Sequence, residues 1–273
     1  MLFSSIPFLY TFLPCVLVLY FLAPRQLKNT VLLLSSLFFY AWGEPRFVVF
    51  MVIAIVQGYM FGLLAEKYRS RPAGAKLCLW ASAVISLGLL GYCKYADFFI
   101  SGFNRLTGLS VPLLHVALPI GISFYTFQIL SYVIDVYRGD VTAQRNFIDL
   151  AAYVAMFPQL IAGPIVRYKT IAKELFDGRD ETTDRARGCT RFAVGLAKKT
   201  VLANACGALA DSLLLTDAAI GSASQLAENL AALSNTPALA LWIGIIAYAF
   251  QIYFDFSGYS DMAIGMGQMI GLL

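Results

Sequence analysis

Long stretches without a charged side chain dominate this sequence, and they restrict what it can fold into. Apolar runs lie near 6–22, 30–43, 46–65, 77–93, 112–134, 147–166 and 237–254, with short charged connections between several of them. A further run, 262–273, follows. About 20 apolar residues in a helix cross the hydrocarbon core of a bilayer. A helix also satisfies its own backbone polar groups, which lipid cannot do. Hydrophobic residues make up 59% of the 273 positions and charged residues 13%. Soluble domains stand near 45–50% and 25%, so this chain lacks the polar exterior that a soluble fold needs. The expected fold is all-α: a polytopic transmembrane helical bundle, with residues 1–273 forming one membrane-embedded domain. The run 30–43 is short for a span, which calls for tilting against neighbours or local thinning of the bilayer.

Other classes fall away quickly. The net charge is +4, and no basic stripe with interleaved aromatics is present, so nucleic acid is not an expected partner. Cys15, Cys78, Cys93, Cys189 and Cys206 are scattered and form no C-x-x-C pair. That pattern argues against a disulfide framework or a zinc site and for small packing residues. The first run starts at Met1 without a basic leader or a small-residue cleavage site before Pro24, so it reads as a retained helix.

The connecting charges set the topology. Arg25, Lys28, Lys67, Arg69, Arg71 and Lys76 oppose only Glu66 in the connections 23–29 and 66–76. The positive-inside rule makes that side cytoplasmic. If 147–166 crossed the membrane, the strongly basic segment 167–191 would lie outside, against the same rule. The run also holds Pro158 and Gly163-Pro164, which interrupt helices. A re-entrant segment over 157–165 resolves both conflicts, provided protein or a wet cavity surrounds it. Residues 189–215 carry Arg191, Lys198 and Lys199 among small apolar residues and read as an interfacial amphipathic helix. Residues 216–236 read as a loop or short surface helix.

Polar side chains inside apolar runs are costly and mark sites of interest. Gln128, Ser131, Tyr132 and Asp135 share one helix face by their spacing, and so do Tyr248, Gln251, Asp255 and Tyr259. Ser257, Ser260 and Asp261 lie close by. The strings Tyr125-Thr126-Phe127-Gln128-Ile129 and Tyr248-Ala249-Phe250-Gln251-Ile252 echo each other, which suggests two polar-faced helices around one interior. The competing reading is interhelical hydrogen bonding without chemistry. His115 is the one histidine. It has the right chemistry for a general base. Its place between Pro112 and Pro119, with no nucleophile or carboxylate partner in the adjacent sequence, favours a structural or interfacial role. No phosphate-binding glycine loop, G-x-S-x-G or H-E-x-x-H occurs. From the residues alone, an enzyme and a transporter both remain open.

Four stretches narrow this. They are Phe39-Tyr40-Ala41-Trp42-Gly43-Glu44-Pro45, the segment Pro119–Gln128, the segment Phe157–Ile165, and Phe254-Asp255-Phe256-Ser257-Gly258-Tyr259-Ser260-Asp261-Met262-Ala263-Ile264-Gly265. In this order they resemble the membrane-bound O-acyltransferase family, in the branch that acetylates bacterial polysaccharides such as alginate. The resemblance implies a helical bundle around a passage through the cytoplasmic (inner) membrane of a bacterium. It implies a thioester donor such as acetyl-CoA on the cytoplasmic side, with no cofactor held by the protein. It further implies partner proteins outside the membrane that complete delivery to a polysaccharide. Gln159, Gly163, Pro164, Asp255, Ser257, Tyr259 and Asp261 then fall near the passage, and the polar face adds Gln128. The family's catalytic histidine follows a Trp-x-x-Trp motif downstream of the Phe254–Gly265 stretch. Trp42, Trp80 and Trp242 do not precede a histidine, and His115 does not match. The resemblance therefore puts the catalytic histidine beyond Leu273. The expectation is an amino-terminal part of such an enzyme, with no catalytic residue within 1–273 and no transfer by this segment alone. A transporter and a non-catalytic scaffold are the alternatives.

Overall fold

The computed structural model describes residues 3–272 apart from 44, 117, 120, 161–166, 177–184, 215–225, 227–229, 232 and 235. Among the described residues every regular element is a helix. They divide into two compact units, 1–183 with 270–273, and 184–269.

The first unit opens with a π-turn, Phe8–Phe12, which leads into α1, Leu13–Leu22. α2, Lys28–Gly43, and α3, Val48–Lys67, follow. α4, Pro72–Thr107, is 36 residues long. α5 is Ile122–Arg138, α6 Phe147–Ala155, α7 Phe157–Leu160 and α8 Tyr168–Phe176. Three helices among the described residues are long and apolar enough to cross a membrane: Pro45–Lys67, Pro72–Thr107 and Ala238–Met269. With the apolar helix Phe8–Leu22, they make the chain an all-α membrane protein.

Small and polar residues let these helices approach. Gly58 and Gly62 of α3 leave room for Ile129 and Tyr132 of α5; a Cβ at either would lie 2.7 Å from those side chains. Helices in lipid gain little from burying apolar surface, so close packing and hydrogen bonds between them matter most. Gln57 of α3 supplies such bonds. Its Nε2 donates to the Ser82 Oγ of α4 at 2.6 Å, and its Oε1 accepts from Ser86 at 3.1 Å. Phe8, Phe12, Phe39 and Phe157 form an aromatic cluster, with Phe12 edge-on to Phe157 at 5.4 Å.

Three expected boundaries shift, each for a visible reason. The run 112–134 is helical only from Ile122, because Pro112, Pro119 and a left-handed Gly121 (φ 76°) hold the preceding chain out of helix. The run 147–166 stops at Ala155. Met156 turns to φ −50°, ψ 110°, and Pro158 enters the first turn of α7, where its missing N–H costs nothing. The Phe157 N–H released by this break donates to Ser36 Oγ at 3.1 Å. Finally, the runs 237–254 and 262–273 join in one 32-residue helix, Ala238–Met269.

That last helix belongs to the second unit. There, α9 (Arg185–Ala197), a π-turn at Lys198–Ala203 and α10 (Asn204–Leu213) make one continuous helical rod. The rod packs along α11, Ala238–Met269. Glycines mark the closest approaches. A Cβ at Gly195 would lie 2.6 Å from the Gly258 carbonyl oxygen, and one at Gly265 would lie 2.7 Å from the Phe192 nitrogen. Further along, Gly207 faces Gln251, and Gly244 faces Leu213 and Leu214.

Candidate functional site

The site residues read from sequence fall on two separate frameworks. In the first unit, the α5 face Gln128, Tyr132 and Asp135 is turned wholly into the protein. Gln128 Nε2 donates to Gln159 Oε1 of α7 at 3.3 Å, so the break at Met156 brings these two amides together. Gln128 Oε1 and Asp135 Oδ2 have no hydrogen-bond partner among the described residues. Tyr132 accepts the Gln144 N–H at 2.9 Å and stacks edge-on to Tyr168. Gly163 and Pro164 lie outside the described residues, as does most of the expected re-entrant segment beyond Leu160. Leu273, beyond which the resemblance puts the catalytic histidine, lies outside them too.

In the second unit, Asp255, Ser257 and Asp261 all point to the π-turn rod. Asp261 accepts from Arg191 Nε at 3.1 Å and from Lys198 Nζ at 2.6 Å. Lys198 also donates to Ser257 Oγ at 3.1 Å. Lys199 pairs with Asp255. Tyr259 is half-buried on the same helix. Among the described residues three cations thus face two carboxylates, leaving one positive charge over. A charged side chain at mid-membrane costs about 2.5–3.5 kcal/mol on insertion scales. Pairing offsets part of that cost, which explains how α11 continues past both acids as one helix.

The sequence pointed to the acids and missed their partners. The signal was present. Arg191 and Lys198 are seven residues apart, two helical turns, so they share a face. The wider ring at Lys198–Ala203 brings adjacent Lys198 and Lys199 to two different carboxylates. Such π-turns recur at functional sites. The echoed strings differ in part. Tyr125 and Gln128 are buried whereas Tyr248 is exposed and Gln251 only half-buried, and the phenylalanine of each string, Phe127 and Phe250, is exposed.

His115 is in neither framework. It has φ 48° in the segment before α5, and its backbone N–H is held by Asp97. An apolar groove of about 630 Å³ between Phe12, Cys15, Leu34, Phe38 and Trp42 of the first two helices contains no ionisable group except the Cys15 thiol. Among the described residues no cluster of His, Cys, Asp and Glu could hold a metal ion.

No protein-family model matches the chain. Curated relatives do. The chain is 44% identical to the probable alginate O-acetylase of Pseudomonas aeruginosa over 99% of its own length and 50% of that protein's. It is 32% identical to the peptidoglycan O-acetyltransferase of Helicobacter pylori, over 98% of the chain and 54% of the relative. A teichoic acid D-alanyltransferase of Streptococcus thermophilus is 26% identical over 56% of the chain and 34% of its own length. The chain spans about half the length of the first two. Their names give transfer of an acetyl or alanyl group to alginate, peptidoglycan and teichoic acid. With membrane helices and near-complete coverage on the chain's side, these likenesses establish that the chain belongs to the membrane-bound O-acyltransferase family.

Proposed function

We propose that this chain is a membrane portion of an O-acyltransferase that moves an acetyl group across the bacterial inner membrane for O-acetylation of an extracytoplasmic polysaccharide such as alginate. The observation that carries this is the 44% identity, over 99% of the chain, to a protein named as an alginate O-acetylase. The donor is a thioester such as acetyl-CoA, presented from the cytoplasmic side of a multi-pass protein. Partner proteins outside the membrane deliver the acetyl group to the sugar hydroxyl.

The residues have separate parts in this scheme. Gln128 and Gln159, brought together by the break before α7, line the path of the acyl group, and by the resemblance Gly163 and Pro164 belong to it too. The unsatisfied Gln128 Oε1 supports this, because a buried acceptor without a donor is costly unless water or substrate meets it. By the resemblance, Asp255, Ser257, Tyr259 and Asp261 of the second unit also serve the transfer. Asp255 pairs with Lys199, and Asp261 with Lys198 and Arg191, which holds these cations against α11. The excess positive charge suits an anionic donor. Proton removal from the attacking hydroxyl requires a base, and the matching histidine is not among residues 1–273. We therefore assign no catalytic residue here and expect no transfer by these residues alone.

Deletion of the gene in its source organism, followed by assay of base-released acetate on envelope and exported polysaccharide, tests the proposal. Acetate should fall and return with the whole gene. Unchanged acetate together with altered uptake of a labelled solute would instead favour a transporter.

A further inference from the structure

We propose that residues 94–116, at the far end of α4, form a self-capped apolar anchor seated in the interfacial layer of the bilayer. The uncharged part of α4 ends at Lys94, yet the next turns expose Phe98, Phe99 and Leu106, the last at 89%. At Gly108 (φ 73°) the chain turns and doubles back along α4. The returning loop exposes Leu109 and Leu114 in turn.

Side chains of α4 hold part of this loop's backbone. Asn104 donates to the Val111 carbonyl oxygen at 2.8 Å and accepts the Val111 N–H at 3.0 Å. Asp97 Oδ1 accepts the N–H groups of Leu114 at 2.7 Å and His115 at 3.3 Å. Thr107 Oγ1 accepts from Leu109, and Pro112 has no N–H to satisfy. Asp97 and Asn104 share one face of α4; Phe99 and Leu106 lie opposite, with Phe98 between the two faces. The knob therefore holds part of its polar backbone inward and sets apolar side chains outward on both sides. Satisfying these groups internally lowers the cost of seating the loop in the poorly hydrated interfacial layer.

Length agrees. At 1.5 Å per residue, the 36 residues of α4 reach about 54 Å. The hydrocarbon core is about 30 Å thick and the whole bilayer about 40–45 Å. A tilt near the upper end of the usual range of roughly 0–40° keeps its last turns among the headgroups. Lys94 and Arg105 then meet lipid phosphates, as basic residues at helix ends do. The anchor lies in the leaflet opposite the Arg69–Lys76 end of the same helix.

The test is tryptophan depth in the full-length protein, reconstituted in phosphatidylcholine vesicles with Trp42, Trp80 and Trp242 replaced by Phe. Leu106→Trp and Leu114→Trp should each emit at short wavelength and lose fluorescence to lipids brominated near the headgroup. Iodide should have little effect. Long-wavelength emission with iodide quenching would overturn the proposal and make the knob an aqueous surface for a protein partner. Resistance to both quenchers would also overturn it, since protein would then cover the site. Adding Asp97→Ala frees two N–H groups. It should shift the Leu114→Trp emission toward the aqueous value and leave Leu106→Trp unchanged. If both move together, the capping argument fails.

Discussion

Asp261 is the residue on which most of the second unit's electrostatics converge. Removing it strands Arg191 and Lys198 together. Both are partly open, with side chains 40% and 31% exposed, so the loss is smaller than for a fully buried pair. Asp261→Ala should destabilise the protein by about 1–3 kcal/mol, seen as a lower melting temperature in detergent. Lys198→Met combined with Asp261→Leu should recover part of it. A cycle with no coupling between the two positions would contradict the pairing. In the first unit, Tyr132→Phe removes the acceptor for the buried Gln144 N–H. Its expected cost is about 1–3 kcal/mol, measurable in the same way. The spacing of Arg191 and Lys198 marks a shared face, but a sequence does not show which acid of a distant segment meets it.

Glycine contacts govern the elements. Gly195 and Gly258 meet backbone to backbone, so a side chain at either would drive the α9–α10 rod away from α11. Gly195→Leu should separate the helices and open the 198–199 peptide to trypsin. Val194→Leu, on the exposed side of the same turn, should be digested no faster than the parent. Equal digestion of the two variants would contradict the close approach. The helices themselves were largely legible. α2 and α3 follow their apolar runs to within two residues, because length and hydropathy suffice there. The break before α7 was legible from Pro158, and the late start of α5 could have been read from Pro119 and Gly121. The continuity of α11 past Asp261 into the run 262–273 was not, since the partners of that acid come from another segment. Nor was the π-turn, whose extra residue per turn has no compositional mark.

At the scale of the whole molecule, the positive-inside rule places 167–191 with the other basic connections. Exposed positions 169 and 189 report on this. With the other native cysteines replaced, Lys169→Cys and native Cys189 should react with an impermeant maleimide in inverted vesicles and not in intact cells. Reaction only from outside would contradict a re-entrant 157–165. The likeness to acyltransferases was legible from motifs spread from Phe39 to Gly265, whereas the polar-face spacing alone left enzyme and transporter undecided.

The most direct measurement is ester-linked acetate on envelope and exported polysaccharide, compared between the parent organism, its deletion strain and that strain carrying the whole gene. Loss on deletion and return on complementation is the expected result. Acetate that persists unchanged in the deletion strain would contradict the acyltransferase assignment.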